Sequence, residues 1–109
     1  MASIRIIPRY KLLLAYDIRP ESLEPYQQYV LSEFIPAMQD MQLYMLGAWH
    51  TAYGKYPARQ VEFVLEDLET LQQAMADDRW PLLEHTLKSY IYHYHRKLVR
   101  FRQGFQFIA

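Results

Sequence analysis

The side chains able to do chemistry in this 109-residue chain are four histidines set among ten tyrosines and two tryptophans. Tyr16, Tyr44, Trp49, His50, Tyr53, Trp80 and Tyr90 would line an aromatic pocket between a sheet and its helices. A planar phenolic or polyketide-like substrate would stack there, with His50 or His85 placed to accept its proton. Loss of that proton is the step that lets dioxygen react with such a molecule without a metal or a flavin. The same aromatics also suit a packed sheet–helix core and a dimer interface, which involve no chemistry. Trp49 and His50 are adjacent on a strand, so they point to opposite faces and at most one belongs to a given pocket.

Other chemistries are narrowed by what is missing. There is no cysteine, which removes disulfides, thiolate metal sites and a thiol nucleophile. His93-x-His95 could set two imidazoles on one side, but a zinc site needs three or four converging ligands and no nearby carboxylate is evident, so no metal is expected. No phosphate-binding loop, dinucleotide fingerprint or His-Glu zinc signature is present. Twelve basic and twelve acidic side chains cancel, which removes the global electrostatic case for nucleic acid. Glu62 to Asp78 is nevertheless acidic without a base, and the chain from His85 onward is basic without an acid. These stretches are expected to meet in the fold or across an interface. No run is long and apolar enough for a membrane span or a signal core, so a cytoplasmic protein is the default expectation.

The elements that must position these residues follow from periodicity. Tyr10–Ile18 reads as a strand apolar on both parities, after a strand extension or loose arm over residues 1–9. Pro20 ends it, and Ser22 can cap a helix whose Tyr26, Val30, Phe34, Ala37, Met38 and Met41 share a face, with a kink expected at Pro36. Leu43–Thr51 is a second strand, with Tyr44, Leu46 and Ala48 on one side and Met45 and Trp49 on the other. Gly54, Lys55 and Pro57 form the turn to a third, Arg59–Glu66, with Val61, Phe63 and Leu65 facing the helices. Asp67 caps the next helix, Pro81 suits the first position of another that runs to about the histidines, and a fourth strand starts near Arg96.

The order β-α-β-β-α-(α)-β is the ferredoxin-like plan, an α+β domain spanning residues 1–109 with one four-stranded antiparallel sheet and helices on one face. Strands apolar on both parities need a second cover, and another copy of the same sheet is the economical one, giving a homodimer. Val99, Phe101 and Phe105 are assigned to the helix side. Leu98, Arg100 and Arg102 then share the far face with Glu62 and Glu66, where charge pairs are expected in one chain or across the two-fold axis.

LYMLGAWHTAYG followed by VEFVLEDLETLQQAMADDRW resembles the NIPSNAP family of the dimeric α+β barrel superfamily. Its pattern is a strand ending in a Leu-Gly-aromatic cluster, a Gly turn, an apolar strand, and a helix closing on a small-x-Asp-x-x-Trp segment. Leu46, Gly47, Trp49, Gly54, Asp77 and Trp80 sit where that pattern puts them. The resemblance implies a dimeric barrel, with cofactor-independent monooxygenases and haem-degrading monooxygenases among its wider relatives. The haem-degrading branch surrounds its haem with a strand asparagine, a helix tryptophan and a later histidine. This chain has no asparagine and carries Tyr90 at the later position, so no cofactor is expected. Two functions remain: a small-molecule-binding protein, extending to a cofactor-independent monooxygenase for an aromatic substrate, or a non-catalytic ligand-binding or assembly module.

Overall fold

A computed structural model of the chain describes residues 6–50 and 59–102. Strand β1 (Tyr10–Ile18) leads through a short turn of 3-10 helix at Pro20–Ser22 into helix α1 (Leu23–Tyr29). A π-helical turn at Val30–Phe34 joins α1 to α2 (Ile35–Asp40). Strands β2 (Tyr44–His50) and β3 (Arg59–Leu65), helices α3 (Leu68–Ala76) and α4 (Arg79–Lys88), and strand β4 (Ile91–Arg100) follow. The four strands form one antiparallel sheet in the order β2-β3-β1-β4. Leu12, Leu14 and Tyr16 of β1 and Val61, Phe63 and Leu65 of β3 meet Tyr26, Tyr29, Phe34, Met38, Trp80 and Leu87 from the helices in a single core. This is the ferredoxin-like α+β arrangement.

Local sequence explains the junctions. Pro36 lacks the N–H that would bond the carbonyl of Ser32, and the chain absorbs this with the wide π turn just before it, in which the Ile35 N–H reaches back to Val30 O. The expected kink therefore takes the form of a change of helical pitch. The helix closes with Leu43 N–H on Met38 O and Gln42 N–H on Gln39 O, both at 2.9 Å, with Gln42 at a φ of 69°. Asp67 caps α3 as expected, accepting from Thr70 N–H at 2.8 Å and from its hydroxyl at 2.7 Å. Asp77 starts α4 by accepting the Arg79 N–H on its side chain at 2.9 Å and the Trp80 N–H on its carbonyl at 3.0 Å, which turns Trp80 inward. Arg79, not Pro81, is the first residue of α4, and Pro81 is the third.

Three assignments need correction. Helix α4 ends at Lys88, where Ser89 and Tyr90 bond back to Thr86 and Leu87, so Tyr90 and Tyr94 lie beyond the helix and β4 begins at Ile91. The spacing of Tyr90 and Tyr94 fits a helix and a strand alike, and the β-branched and aromatic run Tyr90-Ile91-Tyr92 decides for the strand. In β2, Met45 opposes Phe63 while Gly47 already opposes Glu62, so Leu46 is an inserted residue. Tyr44, Gly47 and Trp49 consequently share the face away from the helices, and Met45 and Ala48 face them. In β4, Leu98 lies opposite Leu12 and Arg100 opposite Tyr10, on the helix side, whereas Val99 opposes Lys11 on the far side. Arg100 is thus on the other face of the sheet from Glu62, and Arg102 lies past the strand end. Phe105 falls outside the described residues.

The partner of Glu62 is Lys11 on the adjacent strand, at 3.2 Å, with Gln60 donating to the other carboxylate oxygen at 2.9 Å. Glu62 is 8% exposed, so its charge sits in a partly desolvated place. Lys11→Met should therefore cost about 1–3 kcal/mol in urea unfolding, because it strands the carboxylate. The double variant Lys11→Met/Glu62→Leu is expected to recover most of that loss. A double variant as unstable as the single one would show that the pair itself, and not the stranded charge, carries the energy.

Candidate functional site

The side chains of α1 and the π turn do not close completely on the β2–β3 half of the sheet. A cleft of about 380 Å³ remains, lined by Tyr26, Gln27, Val30, Leu31, Ile35, Met45, Ala48, Arg59 and Val61. A second cleft of about 230 Å³ is lined by Asp17, Ile18, Pro20, Leu23, His50 and Arg59. Arg59 belongs to both. It has the same strand parity as Val61 and Phe63, which directs it to the helix side, and its guanidinium lies 5.9 Å from the centre of the Tyr26 ring. Its Nε is buried without a hydrogen-bond partner.

Beneath the larger cleft a polar thread crosses the core. The Tyr26 and Tyr16 hydroxyls are 2.6 Å apart, and Tyr16 is 1% exposed. Burial, then the neighbouring Tyr26, pushes the Tyr16 phenol far above its ordinary range. Burial also raises Tyr26, opposed by its hydrogen bond with Tyr16 and by the Arg59 charge. With Tyr16 as the donor, Tyr26 keeps its own proton for a group in the cleft. On the other side of Tyr16, Tyr94 donates to Glu84 at 2.8 Å, and Arg96 donates to the same carboxylate oxygen at 2.9 Å while covering Trp80.

Neither a family model nor a curated protein sequence matches the chain. Solved structures do. A NIPSNAP family protein from Agrobacterium tumefaciens gives a TM-score of 0.67 at 18% identity, over 89% of this chain and 95% of that one. An uncharacterised NIPSNAP domain protein from Burkholderia xenovorans gives 0.66 at 13% identity, over 88% and 96%. The fold is that of the NIPSNAP proteins. A candidate antibiotic biosynthesis monooxygenase from Nitrosomonas europaea is similar at a TM-score of 0.59 and 10% identity, over 87% and 98%.

In this chain the residues of the sequence motif serve the fold. The Trp49 ring lies on Gly47, where an added Cβ would meet it at 2.9 Å, and Asp77 and Trp80 set the start of α4. The expected aromatic pocket is not assembled. Trp80 is buried over a void of only about 10 Å³ beside Leu14, Phe34, Met38 and Tyr94, room for about one water. Tyr90 packs on Tyr29 at 5.7 Å, Trp49 is on the far face, and His85 is exposed on α4 and lines neither cleft. Tyr53 lies outside the described residues. Of the expected set, His50 reaches the smaller cleft and Tyr16 reaches the larger one only through Tyr26. Arg59 and Tyr26 are the site residues that sequence reasoning missed. An arginine in phase with Val61, Phe63 and Leu65 was the available signal, since a charge on a core parity has no structural reason to be there.

Among the described residues no three His, Asp or Glu side chains converge in a metal-binding group. His93 instead pairs with Asp17 at 2.9 Å, on a second inserted residue where β4 passes from His95 opposite Ala15 to Tyr92 opposite Asp17.

The buried phenols set an alkaline limit. Tyr16, Tyr29 and Tyr94 are all held above the ordinary value of 10.0, each chiefly by burial. In the unfolded chain they ionise near that value, whereas the fold keeps them protonated. Their contribution is therefore complete below about pH 10 and is lost as the pH rises beyond it. The urea midpoint should fall above about pH 10, and Tyr16→Phe, costing about 1 kcal/mol at neutral pH, should soften that fall. An unchanged midpoint up to about pH 11 would contradict the assignment.

Proposed function

We propose that this chain binds a small, largely apolar molecule in the cleft between α1 and the β2–β3 strands, and does so as a homodimer. The observation that carries the first part is a cleft of about 380 Å³ whose walls are apolar except for Gln27, Arg59 and the Tyr26 phenol. Pockets of that size, mostly apolar with a few convergent polar groups, are the usual form of small-molecule sites. Planar phenols and aromatic acids should raise the melting temperature and shift the amide resonances of Val30, Ala48 and Val61. Ala48→Phe, which fills the cleft, should abolish both effects; equal binding by that variant would place the ligand elsewhere and sink the reading.

His50 on the adjoining cleft favours a catalytic version of the same reading. A phenolic ligand would lose its proton to the imidazole, and the resulting phenolate would pass an electron to dioxygen. The Nitrosomonas europaea neighbour supports this version as a relative in fold. Oxygen uptake with a bound phenol that disappears in His50→Ala would uphold it, and binding without oxygen uptake leaves the protein a binding module.

The dimer is supported by the face opposite the helices. Tyr44 and Trp49 of β2, Leu13 and Ala15 of β1, Val64 of β3 and Val99 of β4 share it, and Trp49 is 50% exposed. The apolar parity at the end of β4 lies on this side, not toward the helices. A second sheet would remove that surface from water, at about 25 cal/mol per Å² of apolar area. Light scattering should give twice the 13.2 kDa chain mass, and Leu13→Glu should give the single-chain mass. A wild-type chain running at 13.2 kDa at micromolar concentration would remove the dimer.

A further inference from the structure

We propose that the ligand is an apolar monocarboxylate, its hydrocarbon or aromatic body in the larger cleft and its carboxylate on the Arg59 guanidinium where the two clefts meet. The inference rests on the cleft being the ligand site and adds the charge and orientation of what enters it.

Arg59 is a cation with no carboxylate partner among the described residues. Lys11, Arg79 and Arg96 each hold a carboxylate within 3.4 Å, whereas no Asp or Glu lies within ion-pair distance of Arg59 among the described residues. Arg59 is half-buried, on the helix side of its strand, and its Nε finds no acceptor. A guanidinium so placed is short of the planar, two-oxygen partner that its donor fork fits best. Arg19 has a similarly unpartnered Nε, but it lies over the Tyr92 ring at 4.3 Å and lines neither cleft.

The remaining lining determines which anion fits. Among the described residues Arg59 is the one arginine or lysine on the walls of the two clefts. A phosphate dianion would therefore be under-compensated, while a carboxylate is balanced one to one. The guanidinium lies 5.9 Å from the Tyr26 ring centre, so the Tyr26 hydroxyl can supply a further donor, and His50 is a titratable group on the wall of the smaller cleft. Val30, Leu31, Ile35, Met45 and Val61 offer the body of the ligand apolar contacts, and Gln27 and Tyr26 are neutral, so the charged end is drawn to Arg59. The same geometry suits a molecule with an ionised enol, but a carboxylate uses both arms of the fork.

The test uses the full chain with 2-naphthoate and decanoate, each against its neutral primary amide, followed by calorimetry and by the side-chain Nε–H resonance of Arg59. The acids should bind at least about tenfold more tightly than the amides and shift that resonance, and Arg59→Gln should erase the difference. Arg59→Lys keeps the charge but not the fork, and is expected to retain part of the preference, so a poorly folded Arg59→Gln does not end the test. Amides that bind as well as acids, or a preference that survives Arg59→Gln, would overturn the carboxylate assignment while leaving the cleft as a ligand site. Absence of binding by all four compounds, with no resonance shift at Val30 or Ala48, would overturn both.

Discussion

A contact of 2.6 Å between the hydroxyls of Tyr16 and Tyr26 ties the first helix to the central strand of the sheet. Two phenols removed from water have few alternatives: each must find the other or leave a polar group unsatisfied in an apolar core. That requirement fixes where α1 crosses the sheet. It also holds the Tyr26 ring beside Arg59 and leaves the neighbouring strip of β2 and β3 without a helix side chain to fill it. The cleft is thus a by-product of how the helix is anchored. The other end of the same layer is closed by different means, with the Tyr29 hydroxyl on the Leu83 carbonyl at 2.7 Å and Trp80 packed under Arg96.

Much of this architecture is legible in the residue pattern, and each part that is hidden has a physical reason. The bounds of β1, the core parity of β3 and the cap at Asp67 follow from local rules that the structure obeys. The face assignment of β2 did not follow, because a single inserted residue at Leu46 reverses every side chain after it and leaves no mark in composition. On β4 the apolar Val99 and Phe101 have the pattern of core residues, but an edge strand running past the helices turns its apolar side to the other face. At the site, the histidines and large aromatics carry their chemistry in their residue type, whereas Arg59 resembles the polar start of any strand, and only its phase with Val61 and Phe63 distinguishes it.

Charge placement on the two faces differs in kind. On the helix side, Glu84 is satisfied by Tyr94 and Arg96 in a compact group at the border of the core. On the opposite side, Lys11 and Glu62 balance each other within one chain, while Lys97, opposite Leu13, adds an exposed cation among the apolar residues. NIPSNAP-like folds with as little as 13% sequence identity to this chain keep the same element order, which fits a scaffold set by packing requirements that many residue choices satisfy.

Both insertions, at Leu46 and in the His93 region, fall on β2 and β4, the two outer strands of the order β2-β3-β1-β4. An inserted residue interrupts the regular spacing of backbone donors and acceptors and increases local twist, which makes an outer strand a poor template for another chain to add to. The sheet can therefore offer an apolar face without also offering two sticky rims. Open-ended growth along those edges, of the kind that ends in fibres, is thereby disfavoured.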